Sequence, residues 1–290
     1  MIDIFKIMKN RFLLFFLLIC SATVQAQTIH WIIFGDTTDP LLGREPQNSI
    51  DAYTSQFVER IDDAMQAKGY RSRRHTYTGA NFSEAKCSSF LNGLTCSEKD
   101  IVFFLYIGHG ARAYGDANYD RNHQWPDLRF KSSATNTSKE YLALDAIHNR
   151  LKSKPHKLVV TIGMCCNNEN STHLQHKGTS LQPYKKRYKI VSKGFAKRIQ
   201  RWLAASNGDV LVSASSPGQP AYGGFEYGGT EIDCFTGALC EVMDGYSLSE
   251  SNEQITWANF LQKVASKCSA NARSTNGEIQ TVKKFINISN

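Results

Sequence analysis

Short apolar runs alternate along this chain with stretches in which apolar residues recur every three or four positions. The β-branched and aromatic runs at 29–34, 101–108, 157–164 and 209–215 read as strands buried on both faces, and 72–78 as a more polar strand. Between the first two of these five, Phe57, Ile61, Ala64 and Met65 share one face of a helix expected over 49–68, with Gly69 as its stop. A short helix is expected over 83–91, and another over 139–151 with Leu144, Ile147 and Leu151 in register. Three more follow: one carrying Phe195, Ile199 and Trp202, one starting near Glu231, and one carrying Trp257, Phe260, Leu261 and Val264. Residues 279–286 read as a terminal strand. Strands alternating with helices predict an α/β fold, a three-layer α/β/α sandwich on a mostly parallel sheet. No internal repeat or low-complexity tract interrupts it.

The first 26 residues stand apart from that pattern. Lys6, Lys9 and Arg11 precede an apolar run at 12–19, and Val24-Gln-Ala26 resembles a signal-peptidase site. The expectation is a signal peptide at 1–26 and one domain at 27–290, exported to a periplasm or secreted. The apolar run is far short of the roughly 18 residues that span a bilayer, so no stable membrane anchor is expected. The formal net charge of +8 is concentrated between Lys177 and Arg201, in what reads as a loop and an exposed helix face. That placement argues against a nucleic-acid partner. Beyond Cys20 the cysteines are Cys87, Cys96, Cys165, Cys166, Cys234, Cys240 and Cys268. Export favours disulfides, and an odd count leaves a free thiol. Cys87 with Cys96 is one candidate pair, Cys240 with Cys268 a second, and the Cys165-Cys166 region a natural home for the unpaired thiol.

Two strands end in reactive side chains. The run 101–108 delivers His109-Gly110, and 157–164 delivers Cys165-Cys166. In open α/β sheets the ligand site lies beyond the carboxyl ends of the strands, so a thiol and an imidazole meet there as nucleophile and base. Taken singly, Gly-His-Gly is more often a tight turn, and a Cys pair more often a buried small hydrophobe or half of a disulfide. His123, His148, His156, His173 and His176 lack such a setting and are expected at surface positions. No Cys-X-X-Cys or His-Glu-X-X-His spacing occurs, so no zinc and no cofactor are expected.

Four stretches in order carry a resemblance. They are Asp100-Ile-Val-Phe-Phe-Leu-Tyr-Ile-Gly-His-Gly110, the loop with Tyr114-Gly-Asp116, Met164-Cys-Cys166, and Val210-Leu-Val-Ser-Ala-Ser-Ser216 followed by Gly228-Gly-Thr-Glu-Ile-Asp-Cys-Phe-Thr-Gly-Ala-Leu-Cys240. Together they resemble the caspase and metacaspase family of cysteine peptidases. The resemblance implies a six-stranded sheet, a peptide or protein substrate, and a cysteine endopeptidase whose histidine ends strand three and whose cysteine ends strand four. It assigns His109 as base and Cys166 as nucleophile, with Cys165 as the alternative, and the backbone N–H of Gly110 as an oxyanion donor. Met164 stands where many metacaspases keep an acid that binds a basic P1 side chain. A weaker Arg or Lys preference is therefore expected, with Asp36 ahead of Asp39 as the replacement acid. Asp36, Met164, Ser213 and Ser215 are the substrate-binding candidates. Asp116, Asp120 and Asp127 are candidates for the calcium that some metacaspases bind. The competing expectation, from Met164 and a Cys166 tied up in a disulfide, is a non-catalytic relative that binds a peptide or partner.

Overall fold

In a computed structural model, the described residues are 27–112, 123–130, 141–168, 182–185, 192–249 and 253–289. Six strands form the central sheet: β1 (Thr28–Gly35), β2 (Arg71–Thr78), β3 (Ile101–Ile107), β4 (Leu158–Met164), β5 (Asn207–Ser213) and β6 (Lys283–Ser289). Their order is β2-β1-β3-β4-β5-β6. All pairs are parallel except β5 with β6. The helices are α1 (Glu45–Tyr53), which runs through a π turn at Thr54–Val58 into α2 (Glu59–Gln66), then α3 (Glu84–Gly93), α4 (Leu144–Lys152), α5 (Lys193–Ala205), α6 (Cys234–Leu248) and α7 (Trp257–Asn276).

The period of two along each strand sorts the core into two layers. Trp31, Phe103, Leu105, Val160, Ile162 and Val212 point to one side and pack against residues of α1, α2, α5, α6 and α7. Ile32, Phe34, Phe104, Tyr106 and Val159 point to the other and pack against α3 and α4. The alternation continues past the end of β4: Met164 belongs to the first layer and Cys165 to the second.

Several elements differ from the pattern-based expectation. Helix α4 starts at Leu144 because Tyr141–Ala143 pair with Asp127–Arg129, which pair in turn with Gly110–Ala111. Helix α6 starts at Cys234 because the Asp233 side chain accepts the N–H of Thr236 and caps it. The terminal strand lies at Lys283–Ser289, an antiparallel edge strand that alternates between half-buried and exposed.

All seven described cysteines are free thiols, so the expected disulfides are corrected. Cys87 and Cys96 instead serve as apolar filling beneath α3 in the second layer. Cys268 packs in the first layer with Cys234, whereas Cys240 packs with Ala52, Tyr227 and Ile232. His148, expected at the surface, is buried on the inner face of α4. No described helix is long and apolar enough to cross a membrane.

Candidate active site

Register brings three strand ends together. Gly35 of β1 pairs with Ile107 of β3, and Ile107 pairs with Met164 of β4. The chains continue in step, since the Asp36 N–H donates to Ile107 O at 2.9 Å and the Gly108 N–H to Met164 O at 3.3 Å. The segments after β1, β3 and β4 therefore leave the sheet side by side. Gly110 lies so close to the cysteine segment that an added Cβ would sit 2.5 Å from Cys165 Sγ and 2.6 Å from Cys166 O. Only glycine fits there.

Strand alternation separates the two cysteines. Cys165 is buried in the core of the α3–α4 side. Cys166 accepts a hydrogen bond at Sγ from the Ala221 N–H, 3.3 Å away. Both cysteines line a narrow cavity of about 30 Å³ shared with Leu42, Glu45, Ile107, Met164, Tyr222 and Asp233. Burial pushes the Cys166 thiol up to about 11, helped by the negative charge of Glu45 and opposed by the Ala221 N–H. The thiol is thus protonated at neutral pH.

His109 follows directly on the cavity-lining Gly108. Its Nε2 lies 3.0 Å from Asp39 Oδ2, with side-chain exposures of 11% and 1%. The His109 carbonyl accepts from the Tyr106 hydroxyl at 2.7 Å and from the Arg129 N–H at 3.0 Å, which pins the residue.

A sequence profile of the caspase domain matches residues 56–284, most of the chain. The chain belongs to the caspase-domain family. Its function is accordingly of the cysteine-peptidase type, acting on proteins or peptides. No curated protein matches this caspase domain. Among solved structures it is similar to caspase-1 from Spodoptera frugiperda, at 12% identity over 91% of this chain and 90% of that one, with a TM-score of 0.47. A Geobacter sulfurreducens protein gives 14% identity over 89% and 92%, with a TM-score of 0.46.

Around the caspase-domain site, the expected residues separate into two groups. His109, Gly110, Cys165, Cys166 and Met164 gather at the ends of β3 and β4, and Met164 Sδ accepts the Thr236 hydroxyl at 3.0 Å. Asp36 is buried but does not line the cavity. Its Oδ1 accepts the N–H groups of Thr38 and Asp39, and burial with the nearby Asp39 charge pushes its carboxyl up to about 6. Ser213 and Ser215 are also buried away from the cavity. The Ser213 hydroxyl donates to Ser215 O, and that of Ser215 donates to Cys165 O at 2.8 Å, bracing the cysteine segment from behind. The calcium candidates Asp116 and Asp120, with Tyr114 and the signal segment 1–26, lie outside the described residues. Asp127 lies in a short strand, and no described group of three or more His, Cys, Asp or Glu is placed to hold a metal ion.

The pattern-based reading missed Glu45 and Asp233 at the cavity. Glu45 Oε2 accepts the Gly224 N–H at 2.9 Å. Asp233 caps α6, and the fold brings it to the cavity that Cys166 also lines. Asp39 had been considered only as a P1 partner, whereas the structure sets it on the histidine.

Proposed function

We propose that this protein is a cysteine endopeptidase in which Cys166 is the nucleophile and His109 the general base and acid. The observation that carries the reading is the placement of the Cys166 thiol on the cavity, beside the strand end that bears His109. As Sγ bonds to the scissile carbonyl carbon, the thiol proton passes to His109. The same proton then goes to the leaving amine as the C–N bond breaks, and water hydrolyses the thioester. Backbone N–H groups of Gly110 and Cys166 would hold the oxyanion, and the close contact of Gly110 with the Cys166 backbone supports that role.

A protonated thiol suits a base that acts during attack rather than a preformed ion pair. The P1 side chain would enter at the cavity that Cys166 lines. Glu45 and Asp233 make that entry favourable for Arg or Lys, whose charge needs a carboxylate partner once desolvated. Glu45 replaces Asp36 in this reading, since Asp36 lies off the cavity. Residues 1–26 would direct export of the mature chain from Gln27.

The test is hydrolysis of a peptide library by residues 27–290. Cys166→Ala and His109→Ala should lose all cleavage, and Cys165→Ala should keep most of it. Cleavage should follow Arg or Lys, and Glu45→Gln should weaken that preference. An inactive Cys165→Ala beside an active Cys166→Ala would reassign the nucleophile, and an Asp or apolar P1 preference untouched by Glu45→Gln would remove the specificity reading.

A further inference from the structure

The loop after β1 is built around one carboxylate. The Asp36 side chain accepts the N–H groups of Thr38 and Asp39, at 3.4 and 3.2 Å, which curls the chain immediately beyond the strand. Asp39 O accepts the Gly43 N–H, and Asp39 Oδ1 accepts the Leu41 N–H at 2.6 Å. These bonds fix the carboxylate and turn Oδ2 toward His109 Nε2, 3.0 Å away. A carboxylate whose side chain is 1% exposed needs such partners, because its charge has lost water. The histidine is held equally firmly. Its carbonyl is bonded by Tyr106 and Arg129, and the glycine after it is wedged against Cys165 and Cys166.

We infer that Asp39 is the positioning residue of the catalytic histidine, completing a Cys166–His109–Asp39 triad. This rests on the reading of Cys166 and His109 as nucleophile and base. An ionised carboxylate can only accept, so the proton of the neutral ring sits on Nε2 and its lone pair on Nδ1. Nδ1 then takes the thiol proton while Nε2–H stays on Asp39, and Nδ1 returns that proton to the leaving amine. Asp39 exchanges no proton. It holds the ring orientation and stabilises the transient imidazolium, a role that needs negative charge as well as a hydrogen bond. The charged groups that share this corner are Asp36, Arg129 and, on the Cys166 side, Glu45.

The experiment compares wild type, Asp39→Ala and Asp39→Asn in peptide hydrolysis across pH. Asp39→Ala should lower kcat about 100-fold with little change in KM. Asp39→Asn, which can still accept the Nε2–H, should lose less. In both variants the limb of the pH profile set by His109 should move down by about one unit, because a carboxylate within hydrogen-bond reach raises an imidazole pKa. A purely structural tie would lower the amount of folded enzyme without moving that limb. Asp39→Asn with wild-type kcat and an unmoved limb overturns the inference. Should both variants misfold, nitrogen NMR of ¹⁵N-histidine wild type decides, with the His109 signal identified by its loss in His109→Gln. The Nε2–H form supports the assignment and the Nδ1–H form overturns it. A folded wild type without His109-dependent hydrolysis defeats instead the reading on which the inference rests.

Discussion

Two of the buried His–Asp pairs, one beyond the end of β3 and one under α4, sit in different settings. His148 of α4 is bonded at both ring nitrogens, by Thr161 Oγ1 at 2.9 Å and Asp209 Oδ1 at 2.8 Å. Asp209 also bonds Lys152 at 3.2 Å and Asn287 at 2.7 Å. Because Asp209 only accepts, His148 donates from Nε2 and receives the Thr161 hydroxyl at Nδ1, a neutral ring with every position used. Burial pulls its pKa down, while the hydrogen bond from His148 heads the interactions that hold the Asp209 carboxyl low. His109 and Asp39 have nearly the same separation but sit beyond the ends of β3 and β1, where His109 follows the cavity-lining Gly108. The residue types are alike; what separates a structural pair from a chemical one is whether the imidazole stands where a reacting group can reach it. His148 ties α4 to β4 and β5. His109, in the proposed function, would act on a substrate at the ends of β3 and β4.

The largest contrast should come from removing each histidine. His109→Ala should lower kcat/KM at least about 1000-fold, with a smaller drop in the urea unfolding midpoint than His148→Ala gives, because Asp39 keeps the Leu41 N–H. His148→Ala should instead lower stability by about 2–4 kcal/mol while the folded fraction keeps its kcat, because a buried ring is removed and the hydrogen bonds to Thr161 and Asp209 are lost. A His148→Ala protein with a wild-type midpoint would break the comparison.

Acid should act on the two regions with opposite sign. The lowered His148 pKa gives stability that is complete above about 6.5 and lost as pH falls, and Asp209 adds a loss below about 3.8. Melting followed from pH 7 to 4 should show a decline that is smaller in His148→Gln. Asp36 runs the other way. Its carboxyl is raised to about 6 from 3.8, so its ionised form costs stability above that window and the cost vanishes as it protonates. Asp36→Asn should therefore stabilise at pH 7 by about 1–3 kcal/mol and be neutral below about pH 4. Stabilisation that persists unchanged at pH 4 would point to some cause other than the charge.

The smallest effect belongs to the cysteine on the far face. Cys165→Ala should cost about 1 kcal/mol in a chemical-denaturation curve, from a small void in the layer under α4, with rapid iodoacetamide labelling of Cys166 retained. Loss of that labelling would place the reactive thiol on the other side of the sheet.

How much of this was readable in advance depended on where each residue's partners lie. Strands β1, β3, β4 and β5 were visible because burial on both faces demands continuous apolar runs, which survive as local signals. Strand β6 was displaced by several residues because an edge strand half in solvent carries little pattern. The start of α4 was missed because Tyr141–Ala143 are drawn into a strand by Asp127–Arg129. His148 read as a surface residue because its bonding partners are Thr161 and Asp209, on strands that nothing near it in the chain announces.

The amino-acid order alone determined that a histidine and a cysteine pair each follow a buried strand, because burial on both faces demands continuous apolar runs ahead of them. Such runs are local and need no partner. Only the tertiary structure decided which carboxylates those side chains meet. Asp39 came to the histidine, Glu45 and Asp233 to the cavity, and Asp36 to the backbone of its own loop. Charge pairing is a matter of a few ångströms across elements far apart in sequence, and it is settled when the sheet register and the packing of α1 and α6 bring those elements together.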